Sequence, residues 1–278
     1  MSVTILLALA AVGLVSGFFA GLIGIGGGVL IVPFLYFFYD HAAWSGFAFP
    51  AELHVKVAHA TSLLVIVPTA IRGTLHYSKA GLIVWRVAIP IAISSIIGGV
   101  LGARIAIAAP APLLKLGFGV FLIATAMQLV LRRASAVQKP LRTDLPATVG
   151  AGIMVGILSG MMGVGGGLIA LPILMYVLHV DMKRAAATSL TIVCVAALSS
   201  VMTYALAGLH QPGTPPGSIG YVHAYGALPI LLGSLIAVPL GARTNQRLDV
   251  RRLRWIFAVF FLVMGLHLVI ENLPILNA

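Results

Sequence analysis

The feature that most constrains this chain is a glycine-rich motif that occurs twice inside long apolar runs. The segment from Gly17 reads GFFAGLIGIGGGVLIVPFL, and the segment from Gly156 reads GILSGMMGVGGGLIALPIL. Gly17, Gly21, Gly24, Gly26, Gly27, Gly28 and Pro33 recur in register as Gly156, Gly160, Gly163, Gly165, Gly166, Gly167 and Pro172. Three adjacent glycines should break a helix, because each costs about 1 kcal/mol against Ala at a helical position. Whatever fold the chain adopts must therefore accommodate the same backbone break in two places.

Two further blocks follow each motif in the same order. KVAHATSLLVIVPTAIRGTLHY, from Lys56 to Tyr77, matches KRAAATSLTIVCVAALSSVMTY, from Lys183 to Tyr204, through the lysine, the Ala-Thr-Ser-Leu core and the closing tyrosine. Leu101-Gly102-Ala103-Arg104 then recurs as Leu240-Gly241-Ala242-Arg243, and Pro90 matches Pro229. The chain reads as a duplication: a first transmembrane repeat over residues 1–134, a polar cytoplasmic linker over 135–148 and a second repeat over 149–278, together one integrated transmembrane domain. Internal repeats of this kind are typical of transporter folds.

The solvent of this protein follows from its composition. Hydrophobic residues make up 60% and charged residues only 8% of the 278, whereas a soluble domain carries about 25% charge. Lipid must cover most of the surface. The length allows about eight to ten spans at roughly 20 apolar residues each, and unbroken apolar runs in lipid form helices because the backbone must satisfy its own hydrogen bonds. The opening stretch MSVTILLALAAVGLVSGFFAG lacks the basic region of a signal peptide; it reads as the first span, with an external N-terminus. Cys194, the one cysteine, excludes an intrachain disulfide and reads as a small packing residue. In the first half, apolar segments run near Val3 to Ile23, Val29 to Tyr39, Val57 to Ile71, Val87 to Ala108 and Leu113 to Leu131, and the second half follows the same plan.

The net charge of +11 does not point to nucleic acid, because no basic face with interleaved aromatics exists outside the apolar segments. The basic residues sit between spans, as cytoplasmic loops require. In the first half Arg72, Lys79 and Arg86 lie between the third and fourth segments, and Arg132, Arg133, Lys139 and Arg142 follow the fifth. In the second half the loop from Gly208 to Gly226 has no Lys or Arg, while Arg243, Arg247, Arg251, Arg252 and Arg254 lie between the last two segments. The basic side has swapped, so equivalent loops lie on opposite faces. Two extensions, Asp40 to Leu53 and Gln211 to His223, then both fall outside. The expected fold is an all-α polytopic membrane protein of two inverted repeats, each of about five helical segments, with Gly-rich broken helices.

Broken backbone at membrane depth persists only where it is buried in protein or lines a cavity. The amides that open the helices after Gly26, Gly27, Gly28 and after Gly165, Gly166, Gly167 are candidates for an anion site, since a helix N-terminus carries about half a positive charge. Gly17, Gly21, Gly156 and Gly160 suit close helix packing instead. Thr61, Ser62, Thr188 and Ser189 are paired hydroxyls in both repeats; each either faces a polar cavity or bonds back to the preceding turn. His59, whose counterpart is Ala186, is a candidate for proton coupling or a plain interfacial histidine. Lys56 and Lys183 read as residues that snorkel at segment ends or steer anions, and Arg104 and Arg243 as interfacial anchors. No Walker A sequence, HExxH, GxSxG or paired membrane carboxylate is present, so the chain is not expected to be an enzyme, and neither cofactor nor metal is implied.

With GLIGIGGGVLIVPFL, GMMGVGGGLIALPIL and the ATSL blocks, nearly the whole chain resembles the sulfite exporter TauE/SafE family. The resemblance implies a multi-pass secondary transporter in a bacterial inner membrane, moving small anions such as sulfite, organosulfonates or organic carboxylates by alternating access; a passive anion channel is the alternative. The partners expected are the anion and the bilayer, with no nucleic acid, and the sequence is compatible with a homo-oligomer. Site residues carried over from the motifs are Gly26, Gly27, Gly28, Gly165, Gly166, Gly167, Thr61, Ser62, Thr188 and Ser189. The swap of basic loops makes a direct prediction. In a background lacking Cys194, a cysteine at Lys79 and one at Gln211 should react with an impermeant maleimide from opposite faces of the membrane; labelling from one face contradicts the inverted arrangement.

Overall fold

The computed structural model describes residues 3–41, 46–131, 141–247 and 251–273. Almost all of these are helical. In the first half lie α1 (Val3–Ile23), α2 (Gly28–Asp40), α3 (Ala51–Lys79), α4 (Trp85–Ala108) and α5 (Ala111–Leu131). In the second lie α6 (Leu145–Met162), α7 (Gly167–Val177, whose last turn is π-helical), α8 (Met182–Ala207), α9 (Ala224–Arg247) and α10 (Arg251–Asn272). A two-stranded hairpin, β1 (Ser218–Ile219) and β2 (Val222–His223), precedes α9. Among the described residues seven helices, α1, α3, α4, α5, α6, α8 and α9, are long and apolar enough to cross a membrane. The chain is an all-α polytopic membrane protein.

The elements follow the apolar runs, with two differences. The third segment extends to 29 residues as α3, well beyond Val57 to Ile71, because Glu52, His54, Lys56, Arg72, His76 and Lys79 continue the helix at both ends. The second half begins at Leu145, four residues inside the stretch read as linker, and Asp144 opens it, its carboxylate accepting from Arg142 Nε at 2.5 Å and Nη2 at 3.1 Å. Arg142 in turn pulls the exposed Asp144 carboxyl below the usual range. Asp181 caps α8 through a bond from the Arg184 amide at 3.1 Å, a common N-cap arrangement. The rest of the linker with Arg132, Arg133 and Lys139, and the side chains of Arg247, Arg251, Arg252 and Arg254, lie outside the described residues.

Helices pack across the duplication. Lipid offers no hydrophobic force between spans, so helix association depends on close van der Waals approach through small residues. Gly13, Gly17 and Gly21 of α1 abut Ile230, Ser234 and Val238 of α9, in that order, and Gly152, Gly156 and Gly160 of α6 abut Ile91, Ser95 and Gly99 of α4. The first helix of each half thus lies along the fourth helix of the other, in the same direction. At the first of these seams Ser16 and Ser234 both donate to Gly13 O, at 3.1 and 3.0 Å. Gly119 of α5 and Gly265 of α10 touch each other.

This packing leaves no room at the glycine seams. A methyl group on Gly17 would lie 2.4 Å from Ser234 Cα, and one on Gly156 would lie 2.3 Å from Ser95 O. Gly17→Ala and Gly156→Ala should each lose about 1–3 kcal/mol, the usual cost of overpacking. A melting-temperature series on the purified variants checks this, and unchanged melting would refute close approach at these seams.

Candidate functional site

Each glycine motif breaks a helix where the sequence places the break. Gly24, Gly26 and Gly27 have φ of 80°, 80° and 77°, and Gly163, Gly165 and Gly166 have φ of 69°, 78° and 79°. These are left-handed conformations that side chains rarely tolerate, which explains the glycines. The chain then re-enters helix at Gly28 and Gly167. α2 has only 13 residues, about 20 Å at 1.5 Å per residue, so it spans only part of the roughly 30 Å hydrocarbon layer.

The two breaks meet. A methyl on Gly28 would lie 2.7 Å from Val164 Cα, and one on Gly167 would lie 2.6 Å from Ile25 Cα. Ile66 of α3 and Val193 of α8 occupy equivalent places in the two repeats, and both pack on Gly26 and on Gly165. Residues 24–29 and 163–168 are all buried. Hydrogen bonding resumes with Leu30 and Ile31 donating to Gly27 O at 3.1 and 3.3 Å, and with Ile169 and Ala170 donating to Gly166 O at 3.1 and 2.9 Å. Among the described residues, the amides of Gly26, Gly27 and Gly28 and of Gly165, Gly166 and Gly167 find no acceptor with hydrogen-bond geometry.

The hydroxyl pairs do not bond back along their own helices. Thr61 Oγ1 accepts from the His223 amide at 3.1 Å, just ahead of α9, and Thr188 Oγ1 accepts from the Val84 amide at 3.1 Å, just ahead of α4. Each threonine therefore satisfies an amide at the start of the other half's fourth helix. Ser189 donates to Gly24 O at 2.9 Å. Ser62 is equally buried and its hydroxyl has no partner among the described residues.

His59 is fully buried within the protein. Its Nε2 pairs with the Tyr36 hydroxyl of α2, and its Nδ1 has no partner among the described residues. A methyl on Gly163 would lie 2.6 Å from His59 Cα, which puts the histidine beside the second break.

Several polar contacts have no signal of comparable strength in the sequence. Tyr39 meets His223 Nδ1 at 3.0 Å. Asp40 holds His54 Nδ1 at 2.8 Å and Lys115 Nζ at 2.7 Å, and Lys115 also lies 5.5 Å over the Tyr36 ring. A cleft of about 430 Å³ opens beside them, lined by Tyr36, Asp40, Lys115, His267 and Glu271 among others. Tyr36, Tyr39 and His223 read in sequence as apolar-run aromatics and a loop residue. The closing tyrosines of the ATSL blocks did carry a signal: Tyr77 donates to Gly21 O at 2.7 Å and Tyr204 to Gly160 O at 2.9 Å, a matched pair of tethers.

These features define a multi-pass helical membrane protein with two broken helices meeting at its centre. The family model described as sulfite exporter TauE/SafE matches residues 9–268, and the chain belongs to that family. It is 30% identical to a "Probable membrane transporter protein" of Haemophilus influenzae over 96% of this chain and 99% of that one. It is 29% identical to a "Probable membrane transporter protein MJ0441" of Methanocaldococcus jannaschii over 93% of each. It is 28% identical to a "Probable membrane transporter protein YunE" of Bacillus subtilis over 95% and 97%. No solved structure matches the chain. The chain is a membrane transporter by family.

The threonine contacts make a prediction about stability. Thr61→Ala and Thr188→Ala each leave a buried amide without its acceptor, so each should lower stability by about 1 kcal/mol, the range of a lost helix cap. Equal losses in melting temperature from the two variants support the matched role; no loss from either refutes it.

Proposed function

We propose that this protein is a secondary transporter of small anions, of sulfite, organosulfonate or organic carboxylate type, working by alternating access in a bacterial inner membrane. The observation that carries the reading is the pair of buried helix breaks with unsatisfied amides, meeting where the two halves interlock. Amides at a helix start attract negative charge without a fixed cation. That suits a carrier, which must release its substrate as readily as it takes it. The hydrogen-bond donors also replace part of the water an anion sheds on entering a low-dielectric site.

Alternating access needs two halves that can exchange environments, and inverted repeats supply them. The direction of packing supports inversion. α1 runs with α9, and α3 also runs with α9, since Thr61 meets His223 and Gly73 packs on Val238. α4 returns from α3 through residues 80–84, and α6 runs with α4. α6 is then opposed to α1, its counterpart.

Substitution of the triplet glycines is a poor test, because a side chain at Gly27 or Gly166 would be strained by positive φ, and one at Gly166 would meet Val155 Cγ1 at 2.6 Å. Counterflow in proteoliposomes is the better one. With sulfite, methanesulfonate and acetate as probes and no ATP, uptake of at least one should saturate and be accelerated by the same anion inside. Flux that follows the electrochemical gradient without trans-stimulation favours a channel, and no flux of any probe overturns the anion reading.

A further inference from the structure

The two breaks are matched in backbone but not in side chains. At the first break the side-chain donors are satisfied or absent; Asn245 donates its Nδ2 to Leu22 O nearby and leaves only an acceptor, Oδ1, without a partner among the described residues. Ser189 donates to Gly24 O at 2.9 Å and only at 3.5 Å to Gly167 O of the second break, Ala186 packs on Gly24, and Ala20 stands where the second half has Ser159. Beside the second break His59 Nδ1 and Ser159 Oγ, and on the same helix as His59 Ser62 Oγ, are fully buried and have no partner among the described residues. His59 and Ser62 are three residues apart on α3 and so share one face of that helix. His59 lies against Gly163, and Ser159 Cβ would lie 3.3 Å from a methyl on Gly166. Ser62 is the repeat counterpart of the Ser189 that reaches across to the first break.

Buried polar groups without partners are few in folded proteins and destabilise them, so two beside one backbone break and a third on the same helix face need an explanation. We propose that the second break, Gly163 to Gly167, is the anion site, with His59, Ser62 and Ser159 as its side-chain ligands, and that the first break is scaffold. This deepens the anion reading and rests on it. The ligand class is a small oxyanion held by neutral donors. Both serine hydroxyls donate to an oxyanion without leaving an acceptor unmet. When the Tyr36 hydroxyl donates to His59 Nε2, the proton of the neutral ring sits on Nδ1 and is free to donate as well. Tyr36 is thus a positioning residue that fixes the tautomer. The site holds no lysine or arginine among these ligands, so the anion binds without a permanent ion pair to break on release.

The test is a thermal-shift titration of the full chain in detergent with sodium sulfite, methanesulfonate and acetate. Wild-type protein should be stabilised by at least one of them, because a ligand that binds the folded state raises its melting temperature. Ser62→Ala and Ser159→Ala should each weaken the apparent Kd about tenfold, the loss of one hydrogen bond to a charged ligand. Their melting temperatures without anion should stay the same or rise, since each removes an unsatisfied buried hydroxyl. Ser189→Ala should do the reverse: loss of the bond to Gly24 O lowers basal stability, while the hydroxyl donates to carbonyls and not to the anion, so Kd changes less than about twofold. If wild type binds and both Ser62→Ala and Ser159→Ala bind as well as it does, the second break is not the site. If Ser189→Ala weakens binding as much as they do, the breaks are equivalent and the asymmetry is wrong. If no probe stabilises the wild type, the anion reading itself fails, and this site with it.

Discussion

A helix broken inside the hydrocarbon layer leaves amides and carbonyls that lipid cannot satisfy. The architecture can be understood as the means of hiding two such breaks. They are set back to back, Gly28 on Val164 and Gly167 on Ile25, with Ile66 and Val193 filling the space between. To bring them there, α1 and α6 must reach the centre, and they are held by glycine seams against α9 and α4 of the opposite half. Tyr77 and Tyr204 then satisfy carbonyls at Gly21 and Gly160 near the ends of the broken helices. Most of the repeated residues are explained by this one requirement.

The same requirement separates scaffold from chemistry. A residue repeated in both halves and bonded identically, such as Thr61 on the His223 amide and Thr188 on the Val84 amide, serves the shared frame. A residue that departs from the repeat is released from that duty. His59 stands opposite Ala186 and Ser159 opposite Ala20, while Ser62 retains its identity but loses the bond its counterpart makes. The departures gather at one break, and a duplicated fold with one elaborated half can hold a single substrate and still exchange its two sides.

Much of the frame was legible in the sequence because its causes are local. Low charge and long apolar runs specify membrane helices, and α1 runs from Val3 to Ile23 as the apolar pattern requires. Three consecutive glycines specify a break whatever surrounds them. The ends of α3 were hidden because Glu52, Lys56, Arg72 and Lys79 interrupt the apolar pattern without interrupting the helix. The site was less legible, because hydroxyl partners depend on tertiary contacts: nothing in Ala-Thr-Ser-Leu distinguishes Ser62 from Ser189, yet one bonds Gly24 and the other bonds nothing described. Tyr36 reads as one more aromatic in an apolar run until α3 brings His59 to it.

The central claim is that an anion sits where backbone amides and buried hydroxyls converge at the middle of the protein. The most direct measurement is a crystal structure of the full chain with selenite, an anomalously scattering analogue of sulfite. The account predicts one strong selenium peak beside the Gly165 to Gly167 amides, with the selenite oxygens within hydrogen-bonding distance of them. A peak confined to the outer cleft beside Asp40 and Lys115, with none at the breaks, would contradict it.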